Sequence, residues 1–377
     1  MRRYLEAQLQ RDLARKAVVL TGARQVGKTT LARQLLDQLP SGLYLNWDIP
    51  SDRAVLQRQT WNPRAPLVVL DEIHKMPDWK QWLKGVIDAK PAAQALLVTG
   101  SARMDTFRQS GESLAGRYLH LHLDPISVRE WCAHTDASPD AALTHLIERG
   151  GFPEPALAAS ADEARRWRRQ YATDLIREDV LEFSRLHEIN TMRVFVELLR
   201  ERVGSPLSLA SIARDLAVSP TTLRRYLEIL QALYVVIVVQ PWHRNIARAL
   251  LQAPKVYFTD SGMVKGDDGV RFENAVAVML TKQAHVLSDT KGLEAGLHYI
   301  RTKDGAEVDF CLSVDGALSQ LVECKHSDTN PHRALRRFAQ QFPEAQAVQL
   351  VRDARQSERR GGLAIEPAAL WLARLDV

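Results

Sequence analysis

An α/β fold built on a parallel sheet is what three features of this sequence predict. Short apolar stretches recur through the first third, at 17–21, 43–47, 67–71, 95–99 and 118–123, and alternate with helical segments. Two of them, Leu67-Val68-Val69-Leu70 and Ala95-Leu96-Leu97-Val98, are unbroken, as strands covered on both faces should be. The first stretch runs into Gly22-Ala23-Arg24-Gln25-Val26-Gly27-Lys28-Thr29 and then into an amphipathic segment beginning at Leu31. Strand, glycine loop and helix in that order form a phosphate-binding loop.

Each part of that loop has a chemical reason. Gly22 and Gly27 let the backbone curl so that successive N–H groups point inward at phosphate oxygens. The helix that follows aims its positive dipole end at the same anion. Lys28 suits the β- and γ-phosphates, and the Thr29 hydroxyl suits magnesium. Gly22, Ala23, Arg24, Gln25, Val26, Gly27, Lys28, Thr29 and Thr30 are therefore the expected ATP contacts, with Mg2+ as the accompanying ion.

The third strand ends in Asp71-Glu72, at the carboxyl edge where such sheets place ligands. Asp71 suits the magnesium shell, through Thr29 or a water, and Glu72 suits a general base that orients the attacking water. The competing reading is an acidic pair capping the helix that starts near Asp78. The fourth strand ends in Thr99-Gly100-Ser101, and Thr99 suits contact with the γ-phosphate or the lytic water. Arg103, and Arg117 after Leu114-Ala115-Gly116, are candidates to stabilise transition-state charge in their own subunit or a neighbour's. The trans option implies self-association.

A chain of 377 residues calls for more than one core. Fifty Lys plus Arg against 45 Asp plus Glu give a net charge of +5 and a pI near 9.1. That permits nucleic-acid binding without requiring it. The basic clusters Arg165-Arg166-Trp167-Arg168-Arg169 and Arg224-Arg225 matter more than the total. Cys132, Cys311 and Cys324 lie far apart with no metal-ligand spacing, and Met1-Arg2-Arg3-Tyr4-Leu5 lacks the apolar core of a signal peptide. The expectation is a cytoplasmic protein with no membrane partner.

After Pro125 the pattern changes. Residues 127–203 read as mostly helical, interrupted by the turn Gly150-Gly151-Phe152-Pro153-Glu154-Pro155. Residues 206–240 then read as a winged helix-turn-helix. Leu209, Ile212, Ala213 and Leu216 share one helix face, Ser219 and Pro220 start a second helix, and an apolar strand from Tyr234 to Val239 follows. Thr221, Thr222, Arg224 and Arg225 of the second helix are the candidate DNA contacts. Such modules also serve as protein-binding surfaces or lids.

The last third has another strand pattern, with strands expected at 255–259, 297–302, 306–313, 319–325 and 347–351. Helices are expected from about Arg271 and over 331–341, and an exposed loop over 352–362. Asp309 and the run Glu323-Cys324-Lys325 put charge into strands that should be apolar. If those strands pair, Asp309 and Glu323 can share a magnesium ion, with Glu273 completing the shell and Lys325 orienting the nucleophile. Ordinary alternation on a half-exposed sheet is the competing explanation.

Through Glu273, Asp309 and Glu323-Cys324-Lys325, residues 273–325 resemble the PD-(D/E)xK restriction-endonuclease-like superfamily, with Val308 where a proline is usual. Nearly the whole chain resembles a widespread prokaryotic family of predicted AAA-type ATPases. The features that carry this are Gly22 to Thr29, Asp71-Glu72, Thr99-Gly100-Ser101, Leu114-Ala115-Gly116-Arg117, Gly150-Gly151-Phe152-Pro153, Gly305 to Phe310 and Val322 to Lys325. The resemblance implies a P-loop AAA-type ATPase domain (1–130), a helical lid or linker (131–204), a winged helix-turn-helix (205–245) and a nuclease-like α/β domain (246–377). It implies an ATP hydrolase that acts on DNA, or else a nucleotide-gated switch whose nuclease-like domain only binds a partner. A metabolic kinase fits poorly, because the later segments have no place in it.

Overall fold

The computed structural model describes residues 1–100, 114–178, 186–243, 253–302 and 304–377. Ser101 and Arg103 lie outside the described residues. The chain divides into two compact units, Met1–Asp124 and Pro125–Val377.

In the first unit five strands run parallel in the order β2-β3-β4-β1-β5. They are β1 (Ala17–Thr21), β2 (Leu43–Asn46), β3 (Leu67–Asp71), β4 (Ala95–Thr99) and β5 (Tyr118–His122). β1 and β3 are buried along their whole length, which is why their sequences are unbroken apolar runs. Around the sheet pack Trp47, Leu56, Trp79, Leu83 and Val86, from the loops and helices that connect the strands. The order matters for function. β1 lies between β4 and β5, and β3 adjoins β4, so the loop after β1 and the acids after β3 leave the same edge of the sheet.

In the second unit, helices Val128–Thr135, Pro139–Arg149, Pro153–Leu157, Ala161–Glu178 and Leu186–Arg200 come first. Ser127 opens the series with a capping box closed by Glu130. Helices Leu209–Asp215 and Pro220–Ala232 follow, each capped by a serine, Ser208 and Ser219. An eight-stranded mixed sheet completes the unit in the order β12-β13-β11-β10-β9-β8-β6-β7. Its strands are β6 (Val236–Pro241), β7 (Lys255–Phe258), β8 (Ala295–Arg301), β9 (Glu307–Val314), β10 (Ala317–Lys325), β11 (Gln346–Val351), β12 (Glu358–Arg360) and β13 (Leu363–Pro367). Helix Asp268–Lys291 is capped by Asp267 and ends at Gly292 in the left-handed conformation.

Two expectations are corrected. The stretch 352–362 is not all loop, because Glu358–Arg360 pairs antiparallel with β13. Gly361 and Gly362, at φ of 56° and 85°, make the tight reversal that a two-residue hairpin turn needs. Nor is 346–351 the last element, since β13 and the helix Ala368–Ala373 follow it. On either side of residues 244–252, β6 and β7 are hydrogen-bonded antiparallel neighbours. Among the described residues no helix is long and apolar enough to cross a membrane.

Candidate functional site

The loop from Gly22 to Thr29 is shaped by its two glycines. Gly22 has φ 144°, and a Cβ there would stand 2.3 Å from the Leu123 carbonyl oxygen. Gly27, at φ 106°, is the residue on which helix Lys28–Asp37 begins. Lys28 is buried and donates to the carbonyls of Gly22 at 2.9 Å and Ala23 at 2.8 Å. Arg24, Gln25 and Thr30 stand exposed on the loop, while Ala23 and Val26 turn inward. Sequence reasoning missed a brace beneath it. Arg3, buried, donates to the Val26 carbonyl at 2.9 Å and to that of Asp124 at 2.5 Å.

Asp71 is the hub of the site. Its Oδ2 accepts from the Thr29 hydroxyl at 3.0 Å and its Oδ1 from the Thr99 hydroxyl at 2.6 Å. The Tyr44 hydroxyl, from β2, also donates to Oδ2. Burial, and then Asp71 itself, push the Tyr44 phenol up to about 12. Loop helix and three strand ends thus meet on one carboxylate. The pairing of Thr29 with Asp71 is an oxygen set that fits magnesium, by direct contact from the hydroxyl and through water from the acid.

Glu72 does not cap the helix at Asp78. It sits in the left-handed region at φ 56°, held by its N–H to the Thr99 carbonyl at 3.1 Å. Its carboxylate lies 3.3 Å from Lys75 Nζ and 3.5 Å from His74 Nε2. Burial raises its pKa, against the pull of the Lys75 charge and with the push of Asp71. A buried carboxyl with a raised pKa suits the general-base role expected of Glu72 from the sequence.

Arg117 is placed elsewhere. β5 pairs with β1 so that Tyr118 lies opposite Ala17, which sets Arg117 at the amino edge of the sheet. The loop leaves the opposite edge, about 16 Å away at about 3.3 Å per residue of strand. There Arg117 forms a two-point pair with Asp88, Nε to Oδ1 at 2.9 Å and Nη2 to Oδ2 at 3.2 Å. It does not join the loop of its own chain.

In the second unit, helix Pro220–Ala232 buries Leu223, Tyr226, Leu227 and Leu230 and exposes Thr221, Arg224, Arg225 and Glu228. Thr222 instead helps to start the helix. Its N–H donates to Ser219 Oγ at 3.0 Å, and the two hydroxyls lie 2.9 Å apart.

β9 and β10 do pair, with Val322 opposite Phe310, and the Cys324 N–H donates to Asp309 Oδ2 at 2.9 Å. The acids nevertheless do not converge as a metal shell. Among the described residues, Glu273, Asp309 and Glu323 do not form a trio with one oxygen from each all within 4.8 Å of one another. Lys255 of β7 stands among them, with Nζ 2.7 Å from Glu307, 3.6 Å from Glu273 and 3.7 Å from Asp309. Burial works against its charge, but Glu273, Asp309 and Glu307 outweigh it and raise its pKa. Glu273 also accepts from the Tyr257 hydroxyl at 2.6 Å. Lys325 donates to Glu323 Oε1 at 2.7 Å, where His332 Nδ1 lies at 3.1 Å. Burial, then Glu273 and Glu323, push Asp309 well above the carboxylate range. Of the three acids expected to share magnesium, Glu273 and Asp309 thus face Lys255, and Glu323 faces Lys325 and His332. Nothing in the sequence marked Lys255, which reads as the first residue of an ordinary strand.

Residues 14–132 match the family described as AAA domain, 140–267 a domain of unknown function (DUF8612), and 268–370 another domain of unknown function (DUF4143). The uncharacterized proteins Mb2031c of Mycobacterium bovis and Rv2008c of Mycobacterium tuberculosis are each 32% identical to the chain over 323 residues, 84% of it and 72% of theirs. Of solved structures, it is similar to the walker-type ATPase paby2304 of Pyrococcus abyssi, at 14% identity and TM-score 0.45 over 74% of this chain and 95% of that one. RuvB of Thermotoga maritima is similar at 17% identity and TM-score 0.34, over 62% and 88%.

The raised pKa of Asp309 has a sign that can be measured. A carboxyl group whose pKa is higher folded than unfolded stabilises most below the ordinary carboxylate range, and that contribution is lost as pH rises through the raised value. Asp309→Asn is expected to stabilise the protein at neutral pH, where the buried carboxyl would otherwise have to ionise. Urea unfolding at several pH values checks this, and the gain should shrink toward pH 4.

Proposed function

The chain belongs to the family of the two mycobacterial proteins and carries an AAA-type, P-loop ATPase-like domain, and from there we propose that it hydrolyses ATP and acts on DNA. The observation that carries the hydrolytic half is Asp71, on which the Thr29 and Thr99 hydroxyls meet beside the buried Glu72. Backbone N–H groups from Gly22 to Gly27 grip the phosphates, and Lys28 leaves the loop carbonyls for the β- and γ-oxygens. Magnesium, when bound by Thr29 and Asp71, neutralises phosphate charge. Thr99 orients Asp71 and faces the γ-phosphate position. Glu72 takes the proton of the attacking water. The trans arginine is Arg117, whose position at the amino edge leaves a neighbouring chain's ATP as its target, so the working form is self-associated.

The DNA half rests on the second unit. Helix Leu209–Asp215, the turn after it, the basic helix Pro220–Ala232 and the β6–β7 hairpin, with Pro206 bridged to Lys255, support the winged helix-turn-helix reading. Thr221, Arg224 and Arg225 face solvent for phosphate contact, and Thr222 fixes the helix start. Lys255 among the acids favours the reading in which the nuclease-like domain, 246–377, binds without cutting. Free cysteines with no metal-ligand spacing support a cytoplasmic setting.

Glu72→Gln is expected to lower kcat for ATP by about 10²–10⁴-fold with ATP binding retained. The acid limb of the wild-type rate profile should lie above the ordinary glutamate range, because the base works deprotonated and its pKa is raised. A limb near pH 4 would exclude Glu72 as that base.

Arg117→Ala alone should be nearly inactive, and so should Glu72→Gln. Mixing the two gives interfaces that join an intact base to an intact arginine. Recovery of ATPase activity on mixing is the expected result, whereas an arginine acting in its own chain would give none.

Replacing Arg224 and Arg225 together by alanine should weaken DNA binding and reduce the slope of log affinity against log salt by about 2. Fluorescence anisotropy across a salt series reads both, and an unchanged slope would move the DNA contact off this helix.

A further inference from the structure

We propose that Lys255 is the resident cation of the acidic centre in the second unit. A tethered ammonium stands where a divalent ion would be shared, and the centre holds strands and helix together instead of cutting a phosphodiester. The proposal rests on the nuclease-like reading of 246–377 and decides which version of it applies.

Three observations converge. The side chain is placed from both ends, since β7 pairs with β6 along Val236 to Val239 and Lys255 itself bridges to Pro206. Its ammonium reaches Glu307, Glu273 and Asp309 within 2.7–3.7 Å and is 1% exposed, with the Tyr299 ring 5.4 Å away. One oxygen of each acid is already engaged: Glu273 Oε1 by Tyr257, Asp309 Oδ2 by the Cys324 N–H, and Glu323 Oε1 by Lys325. Of the others, Asp309 Oδ1 faces the ammonium at 3.7 Å, and Glu323 Oε2 is buried without a hydrogen-bond partner.

The chemistry follows from the difference between an ammonium and a metal. Lys255 supplies one positive charge and three N–H donors, with no exchangeable position for a water to enter and lose a proton. A divalent ion added between Asp309 and Glu323 would face that buried ammonium without intervening solvent. Glu307, which the superfamily pattern of Glu273, Asp309, Glu323 and Lys325 does not include, makes the shortest contact. It belongs to the ammonium's own shell. The centre therefore has the acids of a nuclease and the cation of an ion-pair network.

The test uses the full chain without nucleotide, in an Asp71→Asn background that removes the ATP-site acid, with Mn2+ alone as probe. Bound Mn2+ is counted from the free-ion electron paramagnetic resonance signal, and melting temperature is followed in parallel. With Lys255 in place, Mn2+ binding and the response of Tm to added Mn2+ should be the same whether or not Asp309→Asn is present. Lys255→Ala should melt lower, gain one Mn2+ per chain and recover Tm as Mn2+ is added, and adding Asp309→Asn should abolish that gain. Mn2+ held by the Lys255 protein and lost in Asp309→Asn overturns the proposal while leaving the nuclease-like reading standing. A folded Lys255→Ala protein that gains no Mn2+ overturns the proposal and the nuclease-like reading together. Should Lys255→Ala fail to fold, the comparison of the Lys255 protein with and without Asp309→Asn decides.

Discussion

A charge taken out of water must meet its opposite inside the fold, and in the second unit this constraint joins segments that the sequence presents as separate. Lys282, fully buried on helix Asp268–Lys291, donates to the Pro125 carbonyl at 2.9 Å and to the Glu130 carboxylate. Glu130 is the residue that closes the capping box at Ser127, so the first helix of the unit starts on a group held by a much later one. Arg168 does the same from helix Ala161–Glu178, with Nε 3.1 Å from Asp260 just past β7. Unpaired, each of these ions would cost several kcal/mol. Paired, they tie the helical segment to the sheet within the compact unit Pro125–Val377.

The first unit handles its buried lysine differently. Lys28 donates to two neutral carbonyls of its own loop. A phosphate is a far stronger acceptor for an ammonium than a carbonyl, so those bonds are readily exchanged for an anion. Lys255 lies against three carboxylates on two different elements and has no comparable exchange to make. Both lysines are buried, yet one meets neutral carbonyls and the other meets carboxylates. Partner identity, not burial, separates them.

That distinction also marks how far the sequence could be read. The strands of the first unit were legible because burial on both faces forces unbroken apolar runs, and the loop was legible because glycine, lysine and threonine have local jobs there. Strand order was not, since it depends on pairings far apart along the chain. It is strand order that puts Arg117 at the edge away from the loop and brings Tyr44 to Asp71. Arg3 and Lys255 escaped for a related reason. Each acts on atoms more than 20 residues away, and nothing beside it in the sequence signals the contact. β12 was hidden by its exposure, as an edge strand with three solvent-facing charged residues carries no apolar alternation. Asp309, Glu323 and Lys325 were recognised as unusual, but the cation that answers them lies on a strand outside the pattern.

Lys255 also fixes the basic helix relative to the acidic centre. The chain passes from helix Pro220–Ala232 into β6, and β6 pairs antiparallel with β7 and parallel with β8 at Gln240 and Pro241. β7 carries Lys255 into the acids of β9 and of helix Asp268–Lys291. The exposed face of Thr221, Arg224 and Arg225 is thus two strands from the acidic centre, with hydrogen bonds and buried ion pairs in between and no long linker among the described residues. Removing the ammonium would leave Glu273, Glu307 and Asp309 without their shared counter-charge at the base of the hairpin. A divalent ion would supply the charge but not the covalent tether to β7. Only a side chain can do both, and this gives the fold a reason to keep a lysine there.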